Sequence, residues 1–128
     1  MRRFRFRIPY PPTAKGKQRW AREYGMNAYY AGKHWALRQQ DAKDWHMMTR
    51  AAVRRAGWTG DMMQKPVVVS FLWDDGLDID NHSVMGKMIV DALKGLVIAD
   101  DNRRHMVGVA HHFHDGGAIV VTVQEVDG

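Results

Sequence analysis

An α/β domain, with a mixed sheet and helices packed on it, is the fold class this sequence predicts. Three observations point there: strict polar–apolar alternation near the N-terminus, helical spacing of apolar residues in two separate stretches, and β-branched runs between and after them. The element order read from these is β-α-β-α-β-β. A chain of 128 residues is long enough for one substantial core and short for two, so residues 1–128 are expected to form a single domain.

The elements follow in order. Arg3, Phe4, Arg5, Phe6, Arg7 and Ile8 alternate, which predicts a half-buried strand with Phe4, Phe6 and Ile8 facing a core. Pro9, Pro11 and Pro12 end it, because proline cannot donate to a ladder. Residues 13–31 are polar, basic and aromatic with little periodicity and read as a long functional loop or arm. From about Gly32 to Ala56, Trp35, Leu37, Ala42, Trp45, Met48, Ala51, Ala52 and Val53 fall roughly on one stripe of a helix, closed by Gly57 and Gly60. The run "PVVVSFLW" (66–73) predicts a buried strand. Met85, Met88, Ile89, Ala92, Leu93 and Leu96 repeat at three and four, predicting a second helix over about 82–94 with Asp80 or Asn81 as its cap. "HMVGVAHHF" and "AIVVTVQEV" read as two strands, and "HDGG" between them as a hairpin turn.

Composition narrows the function. Cysteine is absent, which removes disulfides and thiolate metal sites and suits a reducing cytoplasm. No apolar run approaches the roughly 20 residues that span a bilayer, and "MRRFRFRIPYPP" has no continuous apolar stretch of the kind a signal peptide needs. The net charge is +5, yet seven of the fourteen acidic residues lie between Asp74 and Asp101, beside only Lys87 and Lys94. The rest of the chain sets seventeen bases against seven acids, a field that attracts polyanions, of which nucleic acid is the commonest.

The acidic island carries the chemistry. Asp78 and Asp80 follow a strand two residues apart, and in an extended chain both carboxylates point the same way. Hard divalent cations such as magnesium favour such oxygen donors and retain waters that substrate phosphate can displace. Asp100 and Asp101, between the second helix and the next strand, are placed to return to the same sheet edge. Together these acids would form a metal-dependent phosphodiesterase site. Lys87 on the helix is placed to neutralise charge at a scissile phosphate, or else to pair with Asp91 at i+4. A calcium loop from Asp78 fails, since Ser83 and Ile89 stand where Gly and Glu belong. "DAK" (41–43) lies on a helix and is set aside. Of His111, His112 and His114 at most two share a strand face, below the usual zinc count.

Lys15, Lys17, Arg19, Trp20 and Arg22 read as a basic loop suited to phosphate contact and base stacking, while Arg103 and Arg104 adjoin the second acid pair. Trp35, Trp45 and Trp73 read as core.

"DIDN" (78–81), Lys87, "DAL" (91–93) and "DD" (100–101) together resemble the RusA-type Holliday junction resolvases, as does the opening strand running into "PYPPT" (9–13). The resemblance implies a homodimeric, magnesium-dependent endonuclease that nicks opposing strands of a four-way DNA junction. It implies Asp78, Asp80 and Asp101 as the metal-binding catalytic acids, Lys87 as the catalytic lysine, and Asp100 as an adjacent acid and further metal ligand. One or two magnesium ions per site are expected, with manganese as a substitute. Lys15, Lys17, Arg19, Arg22, Arg103 and Arg104 are the expected DNA contacts. Lys87 stands six residues after Asn81, against three in the family member most readily compared, while the spacing from the lysine to "DAL" is kept. Two other readings stay open: a flap- or fork-specific nuclease of the same fold, and a non-catalytic basic DNA-binding protein.

Overall fold

The computed structural model describes residues 1–127. Alternation at the N-terminus produces β1 (Arg3–Pro9), with Phe6 and Ile8 about 1% exposed and the intervening arginines in solvent. The chain then forms α1 (Ala14–Tyr24), a short α2 (Met26–Tyr30), α3 (Trp35–Arg55), β2 (Val67–Trp73), a 3₁₀ turn (Ile79–His82), α4 (Ser83–Leu93), β3 (Met106–Phe113) and β4 (Ala118–Glu125). The four strands make one mixed sheet in the order β1-β4-β2-β3. β4 runs antiparallel to both β1 and β2, whereas β2 and β3 are parallel. That parallel pair needs a crossover, and the 3₁₀ turn with α4 supplies it. The α/β class predicted from the sequence is therefore the observed one.

Register explains which sheet face is covered. Phe6, Val121, Phe71 and His111 lie in one cross-strand row, and the first three are at most 1% exposed beneath the helices. The adjacent row, Arg5, Thr122, Ser70 and Ala110, is exposed to half-buried on the opposite face. Gly86 lets α4 approach the covered face closely. A Cβ there would stand 3.2 Å from His111 Cε1 and 3.6 Å from Phe71. Tyr24 meets Trp20 and Trp45 edge-on where α1 meets α3, and the two tryptophans pack tilted against each other, with ring centroids 5.4 to 5.9 Å apart.

Four expectations need correction. Residues 14–30 are helical and not a loop. Thr13 caps α1 by accepting from the Gly16 amide at 2.9 Å, and Trp20 supplies its buried contact. The buried stripe of α3 comprises Asp41, Trp45, Thr49, Ala52 and Val53, so the first turn projects from the core and leaves Trp35 64% exposed and Leu37 56% exposed. Asp41 sits on that stripe because Lys33 and the Tyr29 hydroxyl, 2.6 Å away, satisfy its carboxylate. β3 and β4 do not pair as a hairpin, since β2 lies between them; the turn closes instead over the end of β2, where Asp74 accepts from the Gly117 amide at 2.8 Å. Finally, neither Asp80 nor Asn81 caps α4. His82 occupies that position without a side-chain bond to the helix amides, and Asn81 accepts from the Asn27 amide at 3.1 Å, tying the 3₁₀ turn to α2.

Candidate active site

Two parts of the acidic segment are separated by burial. Asp75 is drawn inward: its carboxylate accepts from the Tyr10 hydroxyl at 2.7 Å and from the Leu77 amide at 3.0 Å, and contacts His82 Nε2 at 2.8 Å. His82 is fully buried, with Nδ1 3.0 Å from the Ile79 carbonyl and its ring stacked 4.4 Å from that of Trp73. Burial opposes ionisation of Asp75, but the bonds from His82, Tyr10 and Leu77 outweigh it and hold its pKa below the ordinary carboxylate value. The same burial pushes the Tyr10 phenol well above its ordinary range, and Tyr10 also accepts from the Asp74 amide at 2.8 Å. This network fastens the start of the acidic loop to the end of β1.

Asp78 and Asp80 are exposed. Asp78 is the last extended residue, with φ −64° and ψ 154°, and Asp80 lies inside the 3₁₀ turn. Such a turn advances about 120° per residue, so the shared direction expected of an extended chain is lost. Among the described residues neither carboxylate is tied into a hydrogen bond or ion pair, which leaves both free to bind a cation.

Beyond α4, Asp100 forms a local turn. Its oxygens accept from the Asp101 amide at 2.8 Å and from the Asn102 side chain at 3.1 Å. The Asp101 amide is the main cause of its lowered pKa. Asp101 is exposed and stands 3.6 Å from Lys94 Nζ. Lys87 reaches Asp91 at 3.0 Å, the i+4 pair its spacing allowed, while remaining 71% exposed and free to swing. Lys87 and Asp101 line a common groove of about 270 Å³ between α4 and β3. Among the described residues no three His, Asp or Glu side chains are clustered closely enough to enclose a metal ion. The oxygen donors of Asp78, Asp80 and Asp101 suit magnesium in kind.

The basic positions become a helix face. Lys15, Arg19 and Arg22 recur at helical spacing on α1 and are exposed, while Lys17 lies 4.6 Å over the Tyr10 ring. Trp20 is 7% exposed, which removes it as a stacking platform. Lys17 and Arg22 form one wall of an open cleft of about 510 Å³ whose other wall is the acidic loop at Asp74–Leu77. Arg103 and Arg104 are exposed in the turn after Asp101.

Sequence reasoning missed the Tyr10–Asp75–His82 network and the groove position of His111, which lines the β3 side of the groove opposite Lys87 on α4. The only signal was the opposite strand parity of His111 and His112. Among the described residues no helix is long and apolar enough to cross a membrane. No family model matches the chain, and no curated protein matches it.

Proposed function

We propose that this protein is a magnesium-dependent, structure-selective DNA endonuclease that resolves four-way junctions by paired nicks. The observation that carries the reading is the joint placement of Lys87 and Asp101 in one groove, with unpaired Asp78 and Asp80 on the turn leading into the same helix. Asp78, Asp80 and Asp101 would hold the metal, with Asp100 beside them, and the metal when bound activates water and supports the leaving oxygen. Lys87 stabilises the charge that develops on the phosphate. The basic face of α1 beside the acidic loop, together with Arg103 and Arg104, supplies salt-sensitive contacts to the junction arms.

A homodimer completes the proposal, since a two-fold enzyme addresses two equivalent strands of a two-fold junction. In support, β3 is an edge strand without a Lys, Arg, Asp or Glu, in a chain of net charge +5, and it leaves Val107 and Phe113 half exposed. A second copy can meet that edge without like-charge repulsion.

The test is a panel of four-way junction, fork, flap and linear duplex, incubated with magnesium and mapped for cut positions. Symmetric paired nicks confined to the four-way junction are expected. Preference for forks or flaps would make the protein a branched-DNA nuclease of another kind, and binding without any cleavage would leave only a DNA-binding protein.

A further inference from the structure

His111 lies on β3 at the groove that holds Lys87 and Asp101, and its surroundings determine which ring nitrogen carries the proton. Trp73 Nε1 donates to His111 Nδ1 at 3.0 Å. An indole N–H can only donate, so Nδ1 must offer its lone pair, and the hydrogen of the neutral ring resides on Nε2. The ring is held flat against Phe71, with centroids 5.0 Å apart and planes 11° from parallel, and Gly86 leaves just enough room beside Cε1. Half-burial, followed by the neighbouring His82 and His112, keeps the imidazole pKa below its ordinary value, in accord with a ring that stays neutral. Nε2 has no partner within the described residues and is not sealed from solvent.

We propose that His111 is a substrate-contacting residue of this site, whose neutral imidazole donates Nε2–H to a non-bridging oxygen of a phosphodiester seated in the α4–β3 groove beside Lys87. The inference rests on the nuclease reading and deepens it. Its chemistry is specific: a ring with its lone pair committed to Trp73 is neither a metal ligand nor a general base on the groove side. It is a fixed, uncharged donor. Lys87, by contrast, is a mobile charge on a solvated stem.

Long-range ¹H–¹⁵N correlation of the imidazoles in the full chain tests the tautomer directly. The expected spectrum has the His111 proton on Nε2, with that resonance shifting when the dinucleotide thymidylyl-thymidine, or a four-way junction in calcium, is added. Cleavage of the junction with magnesium tests the role. His111→Phe keeps the ring and is expected to slow the saturated rate about 100- to 1,000-fold, the loss typical of one oxyanion donor, with junction affinity unchanged. His111→Gln, which restores an N–H, is expected to recover most of that rate. A proton on Nδ1, a wild-type rate in His111→Phe, or equal losses in both variants that track their melting temperatures would overturn the proposal. Failure of the wild-type chain to cut any DNA would sink the nuclease reading alone. In that event a dinucleotide-induced shift of Nε2 upholds the phosphodiester seat, and its absence overturns it.

Discussion

Within the segment from Asp74 to Asp101, Asp75 beside β2 is turned inward and tied down, whereas Asp78 and Asp80, just before α4, face solvent. Asp75 has a side chain 1% exposed and three hydrogen-bonding neighbours; Asp80, on the same loop, is exposed and uncommitted. The contrast separates a carboxylate committed to the fold from one that is not. A buried carboxylate whose lone pairs are all satisfied holds the loop's shape but has nothing left to offer a cation. A solvated one adds little to stability and keeps its oxygens available.

The sharpest way to break the comparison is to remove each acid in turn. Asp75→Ala leaves His82 and the Tyr10 hydroxyl buried without their acceptor and is expected to cost about 3 kcal/mol or more, read as a lower urea midpoint. Asp80→Asn is expected to leave that midpoint within about 0.5 kcal/mol while lowering magnesium-dependent junction cleavage at least about 100-fold, equivalent to ~2.7 kcal/mol of barrier, with junction binding retained. Cleavage surviving in Asp80→Asn would remove the metal from the proposed site.

Acid titration sharpens the same contrast. The folded pKa of Asp75 lies below its unfolded value, so the stability it contributes is present above the ordinary carboxylate pKa of ~3.9 and is lost as pH falls through the folded value. Urea midpoints measured from pH 6 to pH 2.5 should show this loss in the wild type and a shallower one in Asp75→Asn. Opposite the acids, replacing Lys15, Arg19 and Arg22 together by alanine should weaken junction binding and reduce the slope of log affinity against log salt by roughly 2 to 3. The smallest effect is expected at Asp91. Its pairs with Lys87 and Lys94 are worth about 1 kcal/mol or less together, so Asp91→Asn should lower the melt only slightly and leave the cleavage rate near wild type.

Much of the scaffold was legible because period and burial coincide. β1, β2 and α4 carry alternation or three–four spacing that survives any arrangement of neighbours, and they lie close to where the pattern placed them. α1 was not read as a helix because its core-facing stripe is narrow, made by Trp20 with the partly buried Ala21 and Tyr24 among charged and polar neighbours, and the Thr13 cap alone does not announce a helix. The Gly-rich turn after β3 marked where the chain reverses. Turn chemistry is local and does not state which strands will pair, so the insertion of β2 between β3 and β4 was invisible.

The sequence by itself determined the two-period pattern, the concentration of acid against a basic background, and the identity of Asp78, Asp80, Lys87 and Asp101 as candidates. Only the tertiary structure decided which acids remain free. That depends on what lies opposite each carboxylate: Tyr10 and His82 arrive at Asp75 from distant parts of the chain, and nothing in the described structure arrives at Asp80. The tautomer of His111 was decided in the same way, by an indole brought alongside it through parallel pairing of β2 with β3.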